Sequence, residues 1–90
     1  MRDIEAIWAR IEAHADQTFH QVEGGESTYQ VRGRTLRPDR TNRNIPKSDF
    51  EKALDQVPFS STTEVNRLGV QGPSYVFAIL MDGRIRQGDW

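Results

Sequence analysis

Apolar positions along this chain fall into a few regular patterns, and each predicts an element. Ile4, Ile7, Trp8, Ile11 and Ala15 recur at the i, i+3, i+4, i+7 spacing that puts them on one face of a helix spanning Asp3 to Ala15. Asp3 and Glu5 stand where the positive end of that helix favours acids, and Trp8 is the largest apolar side chain available to anchor it. Phe50, Ala53, Leu54 and Val57 repeat the helical spacing, so Ser48 to Gln56 is a second amphipathic helix, ended by Pro58. Ser48-Asp49-Phe50-Glu51 has the form of a capping box, which predicts Ser48 as the N-cap with Glu51 reaching back to its N–H.

The longest apolar run, Tyr75 to Met81, lies between Gly72-Pro73-Ser74 and Asp82-Gly83, and the rest of the chain has to cover it. Read as a helix, Pro73 sits in the first turn, where its missing N–H costs nothing. Gly72 or Ser74 then serves the start, and Asp82-Gly83 supplies a left-handed stop. Read as a strand, the aromatic and β-branched residues favour an extended chain, with Asp82-Gly83 as a hairpin turn into Arg84-Ile85-Arg86. Proline before the run and glycine after it follow the asymmetry of helix ends, so the helix is preferred.

Alternation takes over in the middle of the chain. Thr18 to Val22 and Thr28 to Arg32 are candidate strands, joined through the turn-rich Glu23-Gly24-Gly25-Glu26-Ser27, and they are expected to pair. A clearer hairpin follows, with Gly33-Arg34 as a two-residue turn that sets Val31 opposite Leu36, Arg32 opposite Thr35 and Gln30 opposite Arg37. In that register Tyr29, Val31 and Leu36 share a face that packs on helices, while Gln30, Arg32, Thr35 and Arg37 share a wet, positive one. Pro38 ends the strand, and Asp39 to Asn44 has the composition of an exposed loop. Ser60 to Thr63 opens a polar connection to about Gly69, with a turn of helix around Glu64 to Leu68.

These elements predict a single α+β domain over residues 1–90, in the order α-β-β-β-α-α, with a three-stranded antiparallel sheet packed on helices. The chain has no cysteine, which removes disulfides, thiolate metal sites and thiol nucleophiles and suits a reducing, cytoplasmic setting. The apolar run is far short of the roughly 20 residues a membrane helix needs, so no membrane association is expected. Acids near the start stand where a signal peptide would be basic and apolar.

A net charge of -1 hides a strong asymmetry. Residues 1–26 carry six acids and two bases, for -4, and residues 48–90 carry six acids and four bases, for -2. Between them, Arg32, Arg34, Arg37, Arg40, Arg43 and Lys47 face only Asp39, for +5. A guanidinium binds phosphate oxygens through two parallel N–H donors and stays charged at any working pH, so this segment is the candidate site, with nucleic-acid phosphates as its target. Asn42 belongs with the site, and Asn44 is a further amide able to reach base edges or sugars. If all six cations met phosphates, the binding constant would fall with salt at a log–log slope of about -4 to -5.5.

Other chemistry has less to stand on. His14 and His20 have no cysteine or histidine at ligand spacing, Ser60 to Thr63 lacks a nucleophile-elbow pattern, and Gly24-Gly25 and Gly69 to Gly72 lack the context of a phosphate cradle. No metal, cofactor or catalytic residue is therefore expected. The chain also lacks helix-turn-helix spacing, RRM aromatics, a GXXG loop and zinc-finger spacing. The expectation is a small non-enzymatic binding module for DNA or RNA. The alternative is a protein-interaction or regulatory adaptor, which would show an apolar patch around Phe59 or Trp90. Trp90 would stand in solvent unless it folds back on Trp8 or meets a second copy, so a monomer or a weak homo-oligomer is expected.

Overall fold

In the computed structural model, which describes residues 3–21 and 24–90, the two amphipathic patterns become the helices α1, Ile4–Ala13, and α2, Lys47–Leu54. The Asp3 carboxylate caps α1 by accepting from the Glu5 N–H at 3.0 Å, and Ile7, Trp8 and Ile11 are its buried face. Five short strands lie between the helices: β1, Phe19–His20; β2, Glu26–Ser27; β3, Tyr29–Arg32; β4, Thr35–Pro38; and β5, Ile45–Pro46. Three further helices follow α2: α3, Thr62–Asn66; α4, Pro73–Leu80; and α5, Gly83–Arg86. The chain is a mixed α+β domain with a three-stranded antiparallel sheet, as its patterning implies.

That sheet is not built from the three strands expected of it. Its order is β3-β4-β5, and β1 pairs instead with β2 in a separate two-stranded sheet. The cause is the tightness of the reversal between them. The Gln21 N–H donates to the Gly25 carbonyl and the Gly24 N–H to the Gln21 carbonyl, so the chain turns back at once and sets Phe19 opposite Ser27. The free edge of β3 is meanwhile taken by the Asp16 N–H, which donates to the Tyr29 carbonyl at 2.9 Å. The expected strand end at Val22 and the turn residue Glu23 lie outside the described residues.

The hairpin agrees with the sequence in every pair. Gln30 faces Arg37, Val31 faces Leu36 and Arg32 faces Thr35, with Gly33 at φ +60 in the first central position of the turn. Only glycine takes that conformation at no steric cost. Tyr29 and Leu36 are buried, while Gln30, Arg32 and Arg37 are exposed. Helix α1 lies against the inner face: the Tyr29 hydroxyl donates to the Ile11 carbonyl at 2.6 Å, and Trp8 Nε1 donates to the Gly33 carbonyl at 3.3 Å. Burial raises the Tyr29 pKa, so the phenol keeps its proton and remains a donor.

The start of α2 corrects the capping-box reading. Pro46 occupies the N-cap, no side chain caps the helix, and Ser48 and Glu51 are both exposed. Strand β5 runs straight into α2, and the Lys47 N–H is already satisfied by the Arg34 carbonyl at 2.7 Å, so the chain enters the helix before Ser48 is reached. Asp49, in the first turn of α2, accepts from the Gln71 N–H at 2.9 Å. At the start of α3 the Glu64 carboxylate reaches back past the N-cap Ser61 and accepts from both the N–H and the hydroxyl of Ser60.

The central apolar run is helical. Pro73 stands in the first turn of α4, and Gly72 is its N-cap at φ +52. A side chain there would also meet Ile45, because a Cβ would lie 2.9 Å from Ile45 Cδ1. Val76, Ala78, Ile79 and Leu80 are buried, and α4 packs on α2, α3, α5 and β1. Its end differs from expectation. Asp82 is not followed by a left-handed stop, because its carboxylate accepts from the Arg84 N–H at 2.8 Å and so opens α5.

Arg84 then fastens α5 to the rest of the chain. Its guanidinium pairs with Asp82, donates to the Gln17 side chain and the Thr18 carbonyl, and lies 3.9 Å from the centre of the Phe19 ring. The hydrogen bond from Arg84 holds the Asp82 carboxyl below its ordinary value of 3.8, against partial burial, which pushes it up. A depressed carboxylate adds stability above its unfolded pKa and loses it as pH falls through the folded one. Arg84→Met is therefore expected to lower the melting temperature most above about pH 5, with the gap to wild type narrowing below about pH 4. Thermal unfolding across that range checks this, and a gap independent of pH would contradict it.

Trp90 does not fold back on Trp8. Its Nε1 donates to the Leu80 carbonyl at 2.8 Å, and the half-buried ring packs on the core at the end of α4. Arg86 holds the Trp90 carbonyl, while Arg10 on α1 pairs with Asp89 and donates to the Ile85 carbonyl. Among the described residues no helix is long and apolar enough to cross a membrane.

Candidate functional site

Because β3 and β4 alternate, four side chains of the hairpin point away from the core: Gln30, Arg32, Thr35 and Arg37. They floor an open groove of about 650 Å³. Its side wall comes from the 39–44 connection, through Thr41, Asn42 and Asn44. This wall exists because β5 pairs with β4 through Leu36 opposite Ile45, which draws the preceding residues alongside the hairpin. Continuing that register puts Asn44 beside Arg37, so Gln30, Arg37 and Asn44 make a row across the sheet, an amide on each side of a guanidinium.

Asp16, Thr28 and Asp39 close the open end of the hairpin. Thr28 and Asp39 are locked together there: the Asp39 N–H donates to the Thr28 carbonyl, and the Asp39 carboxylate accepts from the Thr28 N–H, both at 3.0 Å. The two acids in the groove thus stand at its open end, while Arg32 lies next to the turn and Arg37 two pairs further along the hairpin.

The seven residues singled out from the sequence do not all meet. Arg32, Arg37 and Asn42 line the groove together. Arg34 sits at the hairpin tip and lines a second, shallower hollow with Lys47, Glu5 and Glu51, which adjoins the groove through the shared Thr35. Lys47 is already engaged: its ammonium pairs with Glu5, and its side chain is only 14% exposed. Arg40 turns back toward β2 and donates to the Glu26 carbonyl at 3.3 Å. Arg43 is exposed on the loop, its N–H held by the Thr41 hydroxyl at 3.2 Å.

Comparison with protein-family models, curated proteins and solved structures returns no match for this chain. The site has to be read from its own chemistry. Among the described residues the ion pairs are Arg10 with Asp89, Lys47 with Glu5 and Arg84 with Asp82, so none of the five hairpin and loop arginines forms an ion pair with a described carboxylate. Two exposed guanidinium groups flanked by amides and hydroxyls are a donor-rich surface for an oxyanion, with acceptor oxygens on the amides for a hydroxyl beside it. His14 Nδ1 lies 2.8 Å from the Arg10 carbonyl at the end of α1, and His20 is exposed on β1. Among the described residues no three histidine, cysteine or carboxylate side chains gather at metal-binding range.

Sequence reasoning underestimated the loop. Thr41 and Asn44 belong to the groove wall, and nothing in their composition says so. The missing signal was β5: the polar loop read from composition stops at Asn44, and Ile45-Pro46, two residues just before a helix, are too few for alternation to register.

Proposed function

We propose that this domain is a non-enzymatic binding module that holds the sugar–phosphate backbone of nucleic acid in the groove on the outer face of its hairpin. Arg32 and Arg37 take the phosphates. The supporting observation is that both guanidinium groups line one open groove and neither meets a carboxylate among the described residues. Asn42 supplies a neutral donor beside them, and Arg34 at the hairpin tip adds a third guanidinium, in a hollow it shares with Glu5 and Glu51. Lys47 has no part in the site, because its charge is spent on Glu5.

A protein-interaction role draws less support. Phe59 is 5% exposed and Trp90 is tied to Leu80, so neither offers the apolar patch that an adaptor would use. Titration of a fluorescent duplex oligonucleotide against the protein at low and raised salt tests the proposal. Binding at low salt with a log–log slope of about -2 or steeper is expected, since each phosphate neutralised contributes about -0.9. No binding at low salt, or binding indifferent to salt, would remove the reading.

A further inference from the structure

Resting on that reading, we infer that the groove is selective for ribose over deoxyribose, and that its partner is RNA. The row across the outer face carries the inference: Gln30 faces Arg37 across the hairpin, Asn44 directly precedes β5 on the other side of β4, and all three line the groove. Strands lie about 4.8 Å apart, so the two outer amides are separated by roughly 10 Å with the guanidinium midway. A phosphate on Arg37 then has one sugar directed toward Gln30 and the other toward Asn44.

An amide offers a carbonyl that accepts and an NH₂ that donates. A ribose 2′-hydroxyl does both as well, which is the feature that lets a protein tell RNA from DNA. A deoxyribose leaves the two amides facing carbon, and their hydrogen bonds then go to water instead. Two more features of the groove agree. It is concave, so it seats the convex ridge of a backbone and does not itself enter a base groove. Its floor has no aromatic side chain on which an unstacked base could lie, because Tyr29 is turned to the core. An RNA duplex, which presents 2′-hydroxyls and phosphates along its shallow groove, fits this surface better than an unpaired strand.

The experiment compares RNA and DNA duplexes of one sequence and length by fluorescence anisotropy at low salt, with wild type and with the double variant Gln30→Ala/Asn44→Ala. Both residues are exposed, so the variant is expected to melt as wild type does. Wild type should bind RNA about five- to tenfold more tightly than DNA. The double variant should lose most of that preference, because RNA binding weakens several-fold more than DNA binding. Equal affinity of wild type for the two duplexes, or equal weakening of both by the variant, overturns the inference and leaves the phosphate-binding reading standing. Failure of wild type to bind either duplex sinks that parent reading instead.

Discussion

Replacing Arg32 and Arg37 together by glutamine is expected to weaken duplex binding on the order of a hundredfold at low salt, since a charge-assisted hydrogen bond contributes about 1.5 kcal/mol or more. The salt dependence changes with it, because two phosphates fewer are neutralised and the log–log slope becomes shallower by about 1.8. Folding should be untouched. Both side chains point outward, and neither holds a carboxylate among the described residues, so the unfolding free energy stays within about 0.5 kcal/mol of wild type. Glutamine keeps the length and hydrogen-bonding character of the side chain while removing the charge. Paired titrations of wild type and variant at several salt concentrations check the result, and an unchanged slope would show that these two arginines meet no phosphate.

Phe50→Ala has the opposite profile. Phe50 is fully buried at the start of α2, with its ring 5.7 Å from that of Trp8, and Trp8 in turn holds the Gly33 carbonyl at the hairpin tip. Emptying this seam between α1 and α2 should cost about 3 to 5 kcal/mol. A domain of this length has a total stability of roughly 5 to 13 kcal/mol, so the variant stands near the limit of folding. The melting temperature is expected to fall by more than about 12 °C. Phe50→Leu, which refills most of the volume, should cost clearly less. A loss under about 1 kcal/mol for the alanine variant, by denaturant titration, would mean that the two helices are not joined there.

The two cases mark what patterning carries and what it does not. Spacing alone placed Ile7, Trp8, Ile11, Phe50, Ala53 and Leu54 in the core, because a helix periodicity repeated over several turns has few rivals. Gly33-Arg34 fixed the hairpin register, and that register determined which face Arg32 and Arg37 occupy. Tyr75 to Met81 was ambiguous on periodicity, and Gly72-Pro73 before the run with Gly83 after it favoured the helix that forms, although Gly83 opens α5 and does not supply the left-handed stop. What escaped reading depends on partners distant in the chain. The Lys47 amide is bonded to Arg34, its ammonium is paired with Glu5, and Asn44 is drawn beside Arg37 only through the pairing of Ile45 with Leu36. Composition treats six cations as one strip; the fold gathers two of them in a groove, leaves one at the tip and one exposed on the loop, turns one back on β2 and ties one to a helix.

Amide spectra of the labelled protein, titrated with an unlabelled duplex at low salt, address the groove most directly. The account predicts that signals of residues 30–32, 35–37 and 41–44 move together and saturate, while those of α3 and α4 stay in place. Movement confined to the helical side with the hairpin silent, or no movement at all, would contradict it.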